Sequence, residues 1–400
     1  MSARFAIPCG RLVTSDGEGV AAHDDAALVI EDGTITWIGA ARDLGSDVAR
    51  LVDASDALVT PGLVDAHTHA AFMGSRHAEY AVRMAGGDYE AIAKAGGGIL
   101  STQRAIVAAS EREIGAALAA RLRRMAALGV TTVEVKSGYG LTHDEELKQL
   151  RAIRAVSAAS DLPRVVPTFL GLHALPKGHD REAFVRRVVE ETLPAVAAGG
   201  LARFVDAYVD RNAFQVGEAD ALGARAKALG LGVRLHVGQF ADVGGAELAA
   251  RLGAASADHL ERVGDSGARA MAEAGTVAML LPVASFTLGQ APPPIARLRD
   301  AGVAIAVASD ANPGTAPTES LPLALALAVR LYGLGIDEAV RAVTCVAARS
   351  LGRPELGRLR VGGPADLVVW DLPHEAALAQ PWGTAKTRLV LRDGVALHRA

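Results

Sequence analysis

The chain is 400 residues long, half of them hydrophobic, with 41 basic against 45 acidic side chains and a formal net charge of −4. That length can bury a large core, which excludes a small fibrous or disordered protein, and the near balance of charge lacks the basic surface that nucleic acid demands. Two distant cysteines, Cys9 and Cys345, make neither a disulfide framework nor a CxxC metal site, and the longest apolar run, Leu321–Val329, contains Pro322 and is too short to span a bilayer. A cytoplasmic protein with a small-molecule partner, and with neither nucleic-acid nor membrane partners, is expected.

Residues 26–38 place β-rich runs on either side of an Asp32-Gly33 turn and predict a hairpin. At the other end, Ala365–Asp371 reads as a short strand and Thr387–His398 repeats the hairpin device around Asp393-Gly394. Neither end has helical periodicity. Both are therefore expected to meet in one small β-sandwich domain built from residues 1–56 and 357–400.

Between them, residues 57–356 alternate apolar β runs with Ala-rich amphipathic helices, the pattern of repeated βα units. The first run begins at Leu58 and ends in His67-Thr68-His69; seven more follow at Val130–Val135, Arg164–Leu170, Ala202–Val209, Gly232–Leu235, Ala254–Ala257, Thr276–Pro282 and Val303–Ala308. Ser110 with Glu113, and Thr142 with Glu145, fit the capping-box spacing that starts a helix, while Gly129 and Gly230 stop two others. Eight such strands over roughly 300 residues predict a (β/α)8 barrel, whose active site lies at the C-terminal strand ends. A doubly wound open sheet is the competing topology, but it gives no reason for so many strand ends to carry His or Asp.

Those ends carry the chemistry. In an extended segment residues i and i+2 share a face, so His67 and His69 can converge on one ion, with Asp65 near enough to orient a ring. The fifth run ends at His236, the sixth in Asp258-His259 and the eighth in Ser309-Asp310. Taken singly, each such His is more often a hydrogen-bonded structural residue. Together, His67, His69, His236 and Asp310 form a set of three imidazoles and one carboxylate suited to zinc or iron rather than Ca²⁺ or Mg²⁺. His259 is then left for proton transfer or oxyanion contact. Gly96-Gly97-Gly98 lacks the spacing of a phosphate-binding loop and reads instead as a flexible loop over the barrel mouth.

These residues in this order resemble the amidohydrolase superfamily, metal-dependent (β/α)8 barrels with a small β-sandwich made from both chain ends. Four further stretches are similar to its imidazolonepropionase family: Thr68–Arg76, Ala93–Ile99, Glu134–Leu141 and Asp310–Gly314. The resemblance implies His67, His69, His236 and Asp310 as ligands of one Zn²⁺ or Fe²⁺/Fe³⁺ ion, with Arg76, Tyr139, His173, Gln239 and Asn312 facing the substrate. No lysine occupies the stretch Phe204–Asp210, where binuclear relatives carry a bridging carboxylated lysine, so a single metal is implied. It also implies a homodimer that hydrolyses the lactam C–N bond of 4-imidazolone-5-propanoate to N-formimino-L-glutamate in histidine degradation. Asp310, His259 and Gln239 would serve the chemistry.

The chain departs from that family's pattern at Gly238, at Ala311 and across Ser285–Gln290, changes that remove bulk near the pocket and spare the ligands. Two other readings therefore stand beside the first: a hydrolase of another cyclic amide or amidine, and a non-catalytic barrel that acts as an interaction protein.

Overall fold

In the computed structural model, which describes residues 4–15, 19–86, 97–380 and 386–400, the strands fall into two sheets. The chain opens with β1 (Arg4–Ser15), β2 (Val20–Glu31), β3 (Thr34–Ala40) and β4 (Ala54–Pro61). Then come β5 (Leu63–Asp65), β6 (Val130–Lys136), β7 (Arg164–Leu172), β8 (Phe204–Val209), β9 (Gly232–Val237), β10 (Ser256–His259), β11 (Val277–Leu280) and β12 (Ile305–Val307). The C-terminal segment supplies β13 (Leu367–Trp370), β14 (Thr387–Arg392) and β15 (Val395–Arg399).

Strands β5 to β12 pair in chain order as a parallel sheet with helices between them, the expected (β/α)8 arrangement. Beyond β5 and β12 the wall is completed by backbone bonds from Asp310 N to the His67 carbonyl (3.1 Å) and from His69 N to the Ala311 carbonyl (3.0 Å). The seam of the barrel thus runs through three of the expected metal ligands.

The two chain ends meet as expected, in a single seven-stranded mixed sheet of order β15-β14-β13-β4-β1-β2-β3. The sheet curls until its turns touch: the Ala365 N–H donates to the Gly33 carbonyl at 2.8 Å. Asp32 (φ 47°) with Gly33 (φ 80°), and Asp393 (φ 48°) with Gly394 (φ 75°), make the left-handed two-residue turns that the Asp-Gly pairs predict. Alternation along its strands serves two cores. Val13, Leu58, Val368, Trp370 and Val390 join the barrel core, whereas Leu12, Val59, Leu367, Val369, Leu389 and Leu391 pack in a core of the sheet's own.

Three sequence expectations are corrected. The run from Leu58 is not one strand, because β4 pairs with β1 and β13 through Pro61, and the chain enters the barrel only at Leu63. The residue-57 boundary therefore falls inside β4. Gly62 makes the corner, and a Cβ there would stand 2.1 Å from Thr131 Oγ1. Thr142 makes no side-chain cap. The neighbouring Glu146 carboxylate instead accepts from the N–H groups of Gly138 (2.9 Å) and Leu141 (2.7 Å), holding the loop after β6, while the Ser110–Glu113 box is formed. Asp65 orients no imidazole; it accepts from Ser309 N (3.0 Å) and Ser309 Oγ (2.5 Å), tying β5 to the turn that carries Asp310.

Among the described residues no helix is long and apolar enough to cross a membrane. Of the Ala93–Ile99 stretch, residues 93–96 lie outside the described residues. Gly98, at φ 79°, donates its N–H to Glu79 Oε1 at 2.8 Å and reaches the barrel mouth with Ile99.

Candidate active site

His67 and His69 leave the end of β5, His236 lies in β9, His259 ends β10 and Asp310 follows β12. All five are buried at the C-terminal end of the barrel. His259 (φ 80°) and Asp310 (φ 55°) hold left-handed backbone conformations, which cost a non-glycine residue about 1–3 kcal/mol and persist only where the surroundings enforce them.

The imidazole nitrogens of His67, His69 and His236 lie within 4.8 Å of one another. Asp310 Oδ1 stands 3.5 Å from both His67 Nε2 and His69 Nε2. Second carboxylates set the tautomers: His67 Nδ1 donates to Asp258 Oδ2 at 2.6 Å, and His236 Nδ1 donates to Asp206 Oδ1 at 3.1 Å. Each ring therefore turns an Nε2 lone pair inward. Among the described residues His67 Nε2 has no hydrogen-bond partner, and His236 Nε2 faces His69 Nε2 at 3.3 Å. Three imidazole nitrogens and a carboxylate oxygen converge in a buried site where at least one nitrogen acceptor is unsatisfied, so the donor set fits a metal ion.

The electrostatics agree. Burial, followed by the surrounding positive groups, holds His67 and His69 well below the ordinary imidazole range, so both are neutral donors. Burial pushes the Asp310 carboxyl up to about 7, against the opposing pull of His259, Asn312 and Lys136. Burial alone would lower His259, but Glu261, whose Oε1 is 3.8 Å from His259 Nδ1, and then Asp310 and Asp258 raise it.

A cavity of about 550 Å³ opens above this cluster. It brings together His69, His236, His259 and Asp310 with Arg76, Tyr139, His173, Gln239 and Asn312, whereas His67 lies beneath its floor. The His173 ring stacks on His69 at 5.3 Å and donates from Nδ1 to the Gly138 carbonyl at 2.6 Å; burial lowers its pKa to about 4. Its Nε2 is therefore an acceptor. Tyr139 packs its ring 5.3 Å from His173 and 5.9 Å from His69. Gln239 Oε1 accepts from Tyr208 OH at 2.8 Å, and the Gln239 carbonyl accepts from Gln290 Nε2 at 3.0 Å.

Two site residues have additional attachments. Arg76 is paired with Glu79, with Nε and Nη2 lying 2.8 and 2.6 Å from Glu79 Oε2, while Nη1 packs against Gly314, where a Cβ would approach to 2.3 Å. The Asn312 amide donates to the Asp310 carbonyl (2.7 Å) and accepts from Gly314 N and Thr315 N (both 2.8 Å), shaping the loop that joins the expected ligand to the cavity wall. The altered segments sit nearby. Gly238 has φ 67°, a conformation that favours glycine, and Ser285 Oγ bonds Glu261 Oε1 (2.7 Å) and Tyr332 OH (2.6 Å) behind His259.

Sequence reading missed the charged layer beneath the cluster: Glu134, Lys136, Asp206, Arg234 and Asp258, all fully buried. The signal was present. Charged residues inside runs that become barrel strands must be buried and therefore paired, and Glu134 and Lys136, two apart, share one strand face.

Residues 58–397 match the model of the amidohydrolase family. The chain is 46% identical over 386 residues to an imidazolonepropionase of Polaromonas sp. strain JS666, covering 95% of this chain and 91% of that protein. It is 45% identical to the imidazolonepropionase of Sphingopyxis alaskensis, covering 96% of each. Among solved structures it resembles a zinc-bound adenosine deaminase from Xanthomonas campestris (TM-score 0.74, 18% identity, 98% of this chain and 92% of that one). It is also similar to a variant of the atrazine chlorohydrolase TrzN from Arthrobacter aurescens complexed with zinc and atraton (TM-score 0.72, 19% identity, 99% and 95%). At these identities the two structures speak for the fold.

Proposed function

This chain belongs to the amidohydrolase family, among its imidazolonepropionases, and from that premise we propose that it hydrolyses the lactam C–N bond of 4-imidazolone-5-propanoate to N-formimino-L-glutamate, a step of histidine degradation. The observation that carries the reading is the convergence of His67, His69, His236 and Asp310 under a cavity whose wall holds the Arg76 guanidinium. The cavity size suits a small planar ring with a short tail.

His67, His69, His236 and Asp310 would hold one Zn²⁺ or Fe²⁺/Fe³⁺ ion. Bound there, the ion supplies Lewis acidity and makes a water nucleophilic near neutral pH. Asp310 accepts the proton of the attacking water, a role open to a carboxylate that borders both the ligand cluster and the cavity. As the new C–O bond forms at the lactam carbon, His259 donates a hydrogen bond to the developing oxyanion. The C–N bond then breaks, its electron pair stays on the ring nitrogen, and Asp310 returns the proton there.

The other residues set geometry before reaction. Tyr139 and His173 flank the ring, His173 offering Nε2 as acceptor; Gln239, fixed by Tyr208, bounds the same side. Arg76 binds the propanoate with the edge that Glu79 leaves open. Asn312 acts one step back, by shaping the loop against which Arg76 rests. Freshly generated imidazolone propanoate should be consumed, with loss of its ultraviolet absorbance and appearance of formiminoglutamate. Elemental analysis should find one ion per chain. Failure of metal-replete protein to turn this substrate over, while it opens another cyclic amide, would transfer the reading to that substrate.

A further inference from the structure

The Lys136 ammonium is fully buried, 2.8 Å from Glu134 Oε1, 2.8 Å from Asp206 Oδ2 and 3.8 Å from Asp258 Oδ2. Each of these carboxylates leads to a metal-binding imidazole. Asp258 accepts from His67 Nδ1 at 2.6 Å and Asp206 from His236 Nδ1 at 3.1 Å. Glu134 Oε2 accepts at 3.1 Å from the N–H of Thr68, the residue between His67 and His69. Asp206, His236 and Asp258 also bring ligand-type atoms within 4.8 Å of one another, a spacing that suits a cation.

We propose that Lys136 is a positioning residue of the metal site: its ammonium takes a second cation position beneath the ion, and there clamps the three carboxylates that aim His67, His69 and His236. Three carboxylates crowded together away from water repel one another strongly and need a fixed countercharge. Arg234 is the other buried cation of this layer, and it does not fill that place. It hydrogen-bonds to the Ser350 and Ala66 carbonyls at 2.9 and 2.7 Å and approaches Glu134 only to 3.8 Å; at Asp258 it and Lys136 stand about equally far, 3.7 and 3.8 Å, so the close pairs, with Glu134 and Asp206, are the lysine's. Burial alone would lower the lysine's pKa, but Asp206 and Glu134 outweigh it and the group stays charged. Without the ammonium the carboxylates spread, and the imidazoles they orient lose their common aim.

The inference rests on the metal reading above, and its test uses Zn²⁺ itself as the probe. Metal-free full-length protein is titrated with Zn²⁺ against a chelator of known affinity, and its unfolding is followed by circular dichroism. A lone Lys136→Met change leaves buried carboxylates unbalanced, so the decisive variant is the charge-balanced Lys136→Met/Glu134→Gln, with Glu134→Gln alone as control. The double variant should melt close to the control without metal yet bind Zn²⁺ about 10- to 100-fold more weakly, the range for loss of groups that orient metal ligands. A folded double variant with the control's Zn²⁺ affinity overturns the proposal and leaves the metal reading standing. Wild-type protein that binds no Zn²⁺ removes the premise instead.

Discussion

Replacing Arg76 with alanine is expected to lower kcat/KM for imidazolone propanoate by roughly 30-fold. The figure comes from about 2 kcal/mol for a hydrogen bond between charged groups in a mostly buried setting, converted at 1.4 kcal/mol per tenfold. It is kept below the upper end of that range because Glu79 already holds Nε and Nη2, leaving the Nη1 edge beside Gly314 as the main contact for the tail. The same pairing makes a second perturbation informative. Glu79→Gln can keep its bond to Gly98 N while removing a negative charge that competes with the incoming carboxylate. It should lower KM severalfold, consistent with about 1 kcal/mol for a partly exposed ion pair. Arg76→Lys should recover part of the loss, since the charge remains but the planar fork does not. Steady-state kinetics by ultraviolet loss, with metal content measured alongside, reads all three. An unaltered kcat/KM in Arg76→Ala places the tail elsewhere, and a rise in KM for Glu79→Gln matching that of Arg76→Ala shows that the glutamate holds the clamp rather than competing for it.

His236→Ala should lose most of its metal and its activity together, and a metal-replete, fully active variant would exclude His236 from ligation. The folded-state pKa of His173 is about 4 against an ordinary value of 6.5, so between these the unfolded chain binds more protons at this residue, and its contribution to stability, about 3 kcal/mol, is complete above about 6.5 and lost as pH drops toward 4. The raised Asp65 and Asp310 carboxyls act in the opposite direction over the same range, so the residue is isolated by substitution. Metal-free His173→Asn should therefore lose less stability, or gain more, than wild type between about pH 7 and pH 5, and urea midpoints that shift equally in the two proteins would refute this. Gly129→Ala should destabilise by about 1–3 kcal/mol, because φ is 94° and the new methyl carbon would lie 2.6 Å from the Trp370 ring. A melting temperature equal to wild type counts against that packing. The homodimer implied by family resemblance remains a proposal, to be checked by light scattering on the purified protein; a monomer at working concentration would remove it.

Some of this molecule is legible one residue at a time. Asp32-Gly33 and Asp393-Gly394 specify their turns because those residues tolerate left-handed backbone, and the period of apolar residues separates terminal β hairpins from the βα repeats between them. The ligand candidates could be read for the same local reason: His67, His236, His259 and Asp310 stand at or just beyond ends of apolar runs, where a barrel puts its chemistry. What tertiary structure alone decided was pairing. Pro61-Gly62 marks a break, but nothing local says that the residues before it belong outside the barrel, since Leu58–Pro61 is apolar except for Thr60 and either sheet would accept it; the contact with Thr131 and the partners β1 and β13 settle it. Thr142 and Glu145 have capping-box spacing, yet Glu146 binds the loop instead because that loop's N–H groups lie against it. Asp65 is close to His67 in sequence, but Asp258, 191 residues away, orients the ring. The strand pleat turns Glu134, Lys136, Asp206 and Asp258 inward from different strands, and a buried charge can be interpreted only once its partners are known. Spacing along the chain therefore fixes which face a side chain is on, whereas which charge it meets there depends on how the barrel closes.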